Sequence, residues 1–159
     1  MELRPFDPRY AQLVATWATT AQEVALLCGR EEYPFPPDLL PTWRKADDDI
    51  RPYLYHDGER PIGYAELWLD AEEDEVELAR IILAPEYRGK GLGPAFVEVL
   101  LVPARTAGLT DIFLRVRPDN VPAIRTYHRA GFHEVAETLA AEWNKQQPIQ
   151  YTWMQYPAE

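Results

Sequence analysis

An α+β fold follows from the pattern of this chain, with a mixed and mainly antiparallel central sheet of about six or seven strands flanked by helices. Three features predict it. Tandem apolar, β-branched runs between Arg51 and Leu83 are joined by short turns, as in an antiparallel meander. The last of these runs meets Pro85, then glycines at 89, 91 and 93, then a helical pattern. A strand, a helix and further strands follow to Tyr156. No internal repeat, low-complexity tract or linker interrupts this order, so residues 1–159 read as one domain.

Taken in order, Glu2–Phe6 reads as a short strand, and Asp7-Pro8 starts a helix with Tyr10, Leu13, Val14 and Trp17 on one face. Trp17 suits the core better than the wall of an acceptor pocket. Thr20-Ala21-Gln22-Glu23 is a capping box for a second helix, with Val24, Leu27 and Cys28 inward and Gly29 as its stop. Tyr33-Pro34-Phe35-Pro36-Pro37 is a stiff aromatic link, either one wall of a cleft or a packed connector. Asp38 caps a short helix carrying Leu39, Leu40 and Trp43.

Arg51–His56 and Pro61–Leu69 form strands around an Asp57-Gly58 hairpin turn, and the acidic tip at 70–74 leads into the Glu75–Leu83 strand. After the glycines, Phe96, Val99 and Leu100 share one face of a helix reaching about Ala107, which Pro103 should kink or end near Val102. Asp111–Arg117 is a strand. Pro118-Asp119-Asn120 breaks it and caps a helix through Ala123, Ile124, Tyr127 and Ala130 to Gly131. Phe132–Val135 and Ile149–Tyr156 are the closing strands.

Composition narrows the function. The formal charge is −10, which argues against general nucleic-acid or anionic-membrane binding. No apolar run reaches spanning length and no signal-peptide pattern opens the chain, so a cytoplasmic protein is expected. The single cysteine, Cys28, has no internal disulfide partner and suits helix packing better than nucleophilic work. The three histidines, His56, His128 and His133, lack metal-ligand spacing, so no metal is expected. Charge is unevenly placed. Residues 80–129 hold eight basic and four acidic side chains, +4; the remainder holds eight and 22, −14. That suits a polyanionic ligand at the middle of the chain and a cationic one elsewhere.

The strand–glycine turn–helix at Glu77–Gly93 aims free N–H groups at one point beside a helix N-terminus, where a phosphate binds. Lys90 is followed by Gly91 rather than Ser or Thr, which excludes the lysine-tipped P-loop. The Gly-x-Gly-x-Gly spacing also misses the dinucleotide fingerprint. What remains, Arg88-Gly89-Lys90-Gly91-Leu92-Gly93, resembles the Arg/Gln-x-x-Gly-x-Gly pyrophosphate loop of the GNAT superfamily of acyl-CoA N-acyltransferases. A second block, Asn120-Val121-Pro122-Ala123-Ile124-Arg125-Thr126-Tyr127-His128-Arg129-Ala130-Gly131-Phe132, is similar to that family's Asn-x-x-Ala-x-x-x-Tyr-x-x-x-Gly-Phe segment. With Leu3-Arg4-Pro5, the resemblance covers most of the chain and leaves roughly residues 18–50 unmatched.

The resemblance implies a sheet whose central strands splay apart around the coenzyme's pantetheine arm. It implies acetyl-CoA as co-substrate, a primary amine as acceptor and direct transfer. Ile81, Ile82 and Leu83 would bind the amide arm through their backbone, Arg88, Gly89, Lys90, Gly91, Leu92 and Gly93 the pyrophosphate, and Asn120 the far side. Tyr127 would protonate the departing thiolate; the plainer alternative ties its hydroxyl to a carbonyl. Such chemistry also needs a base for the ammonium and an N–H for the oxyanion. Glu77, eleven residues before Arg88, is the first candidate base and Glu66 its rival; either is equally readable as a strand carboxylate. Ribosomal-protein N-terminal acetyltransferases have Leu-Glu-Val-Arg where this chain has Leu114-Arg115-Val116-Arg117, which counts against that subfamily. Arg115 is left as a sheet-surface charge or a contact for an anionic part of the acceptor. The acidic remainder points to a cationic small molecule, with a peptide or protein lysine, or a coenzyme-binding module without turnover, as alternatives. Acyl-chain length and oligomeric state stay open, a homodimer through the last strands being one arrangement.

Overall fold

The computed structural model describes residues 1–28, 34 and 49–157. The expected Gly29 stop, most of the Pro-rich link, the Asp38-capped helix and the side chain of Cys28 lie outside the described residues. Among the described residues, seven strands form one sheet in the order β1-β2-β3-β4-β5-β7-β6. They are β1 (Glu2–Pro5), β2 (Ile50–Asp57), β3 (Arg60–Asp70), β4 (Glu75–Leu83), β5 (Asp111–Val116), β6 (His133–Glu134) and β7 (Thr152–Tyr156). The α-helices among the described residues are α1 (Ala11–Ala15), α2 (Ala21–Cys28), α3 (Leu92–Thr106), α4 (Val121–Arg129) and α5 (Glu137–Asn144). All strand pairs are antiparallel except β4–β5. The expected mixed sheet is therefore present.

The parallel pair is short, and this creates the site. Pairing runs only from Glu75↔Asp111 to Glu77↔Phe113, while β4 continues to Leu83. Beyond Glu77 the two strands part, leaving one edge of β4 without β5 beside it. Side-chain alternation sends the sheet's apolar residues to two faces. On one, Phe96, Leu100 and Leu101 of α3 pack on Ile62, Leu67, Leu78 and Leu114, and the Phe96 ring stacks on Tyr55 at 4.8 Å. On the other, Val14, Trp17 and Val24 of the α1–α2 region cover Leu54 and Tyr64. Phe96, Leu100 and Val24 are fully buried, each worth about 1.5–3 kcal/mol.

Several local expectations are corrected. The first helix is a 3-10 turn at Pro8–Tyr10 followed by five residues, and Leu13 is exposed. The first hairpin turns on Gly58–Glu59, with Asp57 still paired to Arg60. Pro103 does not end α3: the helix runs to Thr106, and the Ala107 N–H donates to the Pro103 carbonyl at 3.1 Å. Asn120 precedes α4 but its side chain makes no capping bond. The capping box is half formed, with the Glu23 N–H on Thr20 Oγ1 at 3.1 Å while the Glu23 carboxylate turns to Thr19.

The closing strands are shorter than expected, and α5 stands between them where no element was anticipated. Buried Asn144 ties α5 to β7: its Oδ1 accepts from the Tyr151 N–H at 3.0 Å and Trp153 Nε1 at 2.8 Å, and its Nδ2 donates to the Tyr151 carbonyl at 3.0 Å. Asn144→Ala strands the buried indole N–H, so a stability loss of about 2–3 kcal/mol is expected by urea melting. A loss below about 0.5 kcal/mol would show that the tie is replaceable.

Candidate active site

The parting of β4 and β5 opens a cleft of about 610 Å³. One wall is the end of β4, with Ile81, Ile82 and Leu83. The floor is the turn and first residues of α3, where Arg88, Gly89, Gly91, Leu92 and Gly93 line the space. Tyr127 enters from α4 and Asn120 from its N-cap position. Of the residues expected to hold the coenzyme, only Lys90 is absent from the lining; its ammonium sits 5.8 Å from the Tyr87 ring centre.

The glycines serve different ends. Gly89 and Gly91 have φ of 71° and 75°, which side-chain-bearing residues rarely adopt, and Gly91 is the left-handed N-cap of α3. Gly93 has no such angle. A Cβ there would meet Thr126 Cγ2 at 2.8 Å, so this glycine lets α3 and α4 approach across the cleft. No side chain caps α3, which leaves its first N–H groups and the positive end of its dipole for an anion.

Arg88 lines the cleft with its guanidinium already engaged by protein partners. Its Nε donates to the Leu83 carbonyl at 3.0 Å, its Nη2 to the Trp17 carbonyl at 2.5 Å, and its Nη1 pairs with Glu23. The guanidinium is thus a latch between the glycine turn and the α1–α2 region. Burial favours a neutral Glu23, but the Thr19 and Arg88 hydrogen bonds and the Arg88 charge outweigh it and hold the carboxyl below its usual value.

Tyr127 is buried, with its ring edge-on to Phe132 at 6.3 Å. No hydrogen bond to its hydroxyl, and so no tie to a carbonyl, occurs among the described residues. Burial raises the phenol well above its ordinary value of 10.0, which keeps the proton in place at neutral pH.

The two carboxylates expected as bases lie elsewhere. Neither Glu66 nor Glu77 lines the cleft. Glu77 is buried in a fork with Arg115, at 2.7 Å from Nε and 2.8 Å from Nη2. Arg115 in turn lies 4.9 Å from the Trp153 ring centre and donates to Gln147 at 2.9 Å, which accounts for its charge within the sheet. Glu66 is fully buried and accepts from Tyr64 Oη at 2.5 Å, Trp68 Nε1 at 2.8 Å and Arg80 Nη1 at 3.1 Å. Both carboxylates share the face covered by α1 and α2, since Glu66 follows Tyr64 by two residues and Glu77 pairs with Trp68.

Other cleft residues went unread in the sequence. Glu23, Leu26 and Leu27 of α2 and Arg125 and Arg129 of α4 all line it. The two arginines, four apart on one helix, were legible as part of the positive stretch; the α2 residues carried no signal.

A sequence profile of the acetyltransferase (GNAT) family matches residues 16–132, well over half the chain. The chain belongs to this family. Among its relatives is mycothiol acetyltransferase of Corynebacterium glutamicum strain R, 34% identical over 97 residues, which are 60% of this chain and 31% of that one. Another is the ribosomal protein bS18 alanine N-acetyltransferase of Escherichia coli K12, 38% identical over 61 residues, 38% of this chain and 41% of that one. The chain therefore spans well under two thirds of the curated relatives it matches. Among solved structures, AAC(6')-Ib in complex with ribostamycin and coenzyme A superposes with a TM-score of 0.75 at 22% identity, over 97% of this chain and 91% of that one. Spermidine N-acetyltransferase from Vibrio cholerae, with CoA and spermine, gives 0.70 at 23% identity, over 85% and 82%. At such identities the likeness establishes the GNAT fold, with its seven strands and splayed pair. No helix among the described residues is long and apolar enough to cross a membrane.

Proposed function

We propose that this GNAT protein, acting as one domain over residues 1–159, is an acetyl-CoA-dependent N-acetyltransferase whose acceptor is a primary amine on a cationic small molecule. One observation carries the reading: an uncapped, glycine-shaped anion cradle and a buried phenol whose hydroxyl makes no hydrogen bond among the described residues line the same cleft. Relatives named as acetyltransferases, and similar folds solved with coenzyme A and polyamine or aminoglycoside, support it.

Acetyl-CoA supplies a thioester carbonyl; the amine nitrogen forms the new C–N bond, the C–S bond breaks, and the sulfur leaves as a thiolate that needs a proton. The backbone N–H groups from Gly89 to Gly93 hold the diphosphate, and Arg125 and Arg129 add positive charge along its path. Asn120 bounds the far side. Backbone groups of Ile81–Leu83 bind the amide arm, and an Ile82–Leu83 N–H steadies the carbonyl oxygen. Tyr127 holds the proton for the sulfur.

Glu77 and Glu66 are already neutralised by Arg115 and Arg80, so proton abstraction by either would break a buried ion pair. We therefore assign the ammonium proton to water. The acidic remainder of the chain, with eight basic against 22 acidic side chains, favours cationic acceptors.

The purified protein should consume acetyl-CoA over a panel of polyamines, aminoglycosides and small diamines, with thiol release followed by absorbance. Turnover on lysine peptides alone would move the acceptor to proteins, and tight coenzyme binding without turnover on any amine would leave a sensor or structural module.

A further inference from the structure

Arg80 and Asp74 are the non-glycine residues with a left-handed backbone among those described, and Arg80, at φ 51°, sits at a break in the sheet. The β3–β4 register passes from Leu67↔Leu78 and Glu66↔Ala79 to Tyr64↔Ile82. Strand β4 thus carries one residue more than β3 across this step, a bulge at Arg80–Ile81. The bulge comes directly before Ile81, Ile82 and Leu83, the cleft wall.

A long side chain resists this conformation, so its surroundings must hold it. Arg80 Nη1 donates to Glu66 Oε1 at 3.1 Å, and its guanidinium stacks 5.0 Å from the Trp68 ring centre. Glu66 is itself immobile: 0% exposed and fixed by Tyr64 Oη at 2.5 Å and Trp68 Nε1 at 2.8 Å. Three donors on one buried carboxylate make an anchor.

We infer that Glu66 is a positioning residue: it tethers Arg80 in the left-handed conformation and so fixes the bulge that presents the Ile81–Leu83 backbone to the coenzyme. This rests on the acetyl-CoA reading above.

The test compares Arg80→Ala with Arg80→Gly by coenzyme A titration calorimetry. Both variants lose the tether and leave Glu66 in the same state. Without the tether the left-handed φ remains costly for alanine, whereas glycine adopts it freely. Alanine should therefore bind coenzyme A roughly five- to tenfold more weakly than glycine. Equal affinities in two folded variants would overturn the positioning role while wild-type binding stands. If the wild type itself takes no coenzyme, the functional reading fails and the inference with it. Glu66→Gln separates anchor from base. The amide keeps an acceptor for Arg80 but takes no proton, so the low-pH limb of the kcat profile should persist. Its disappearance would make Glu66 the base and sink the assignment.

Discussion

Tyr127→Phe should lower kcat by about a hundredfold or more and leave coenzyme affinity and thermal stability close to wild type. The reason is geometric. The ring packs on Phe132 and survives the substitution, while the lost hydroxyl makes no hydrogen bond among the described residues. A structural tyrosine gives the opposite pattern, with stability falling and kcat kept. The pH profile adds a second check. Because burial raises the phenol above its ordinary 10.0, Tyr127 keeps its proton through the alkaline range in which amines become free bases. Activity should therefore still rise from pH 7 to 9 as more acceptor is deprotonated. A fall over that range, abolished by Tyr127→Phe, would show a phenol titrating too early to serve as the acid.

The second large effect is expected at Arg88. Arg88→Ala removes partners from Leu83, Trp17 and Glu23 together, and Glu23 then lines the cleft with its Thr19 hydrogen bonds but no cation beside it. The pair is partly exposed, so the stability loss is put at about 2 kcal/mol, or roughly 4–8 °C in Tm, rather than the larger value of a fully buried pair. Coenzyme affinity should fall about tenfold, because the turn carrying Gly89 and Gly91 loses its anchor and Glu23 repels the diphosphate. Arg88→Lys should restore little, since one ammonium cannot serve three partners in a planar fork. Calorimetry at two salt concentrations separates a latch from a direct ligand. In Glu23→Gln/Arg88→Ala, which removes both charges of the pair, a latch leaves the salt dependence of coenzyme binding nearly unchanged, whereas a side chain on the diphosphate would take part of it away.

What the sequence disclosed was local. The meander, the Pro-terminated β4, the glycine turn and the α4 block each announce themselves within a dozen residues, through alternation, φ demands and caps. The splay of β4 from β5 could be expected only through family resemblance, because it depends on where a parallel pairing stops. The helix α5 was missed because its reason lies in Asn144 meeting Tyr151 and Trp153, contacts made only after the chain returns. The roles of Glu66 and Glu77 were open for the same reason: their arginines are 14 and 38 residues away. A carboxylate at a matching position reads as a base until its partner is seen.

Titration of acetyl-CoA into the wild-type protein and into Gly91→Val bears most directly on the cradle. One-site binding with a Kd of roughly 1–100 µM is expected for the wild type. Gly91→Val should weaken it at least about tenfold, since valine resists the left-handed N-cap that turns the α3 amides toward the diphosphate. No saturable binding up to millimolar acetyl-CoA, or equal affinity in a folded Gly91→Val, would contradict the account.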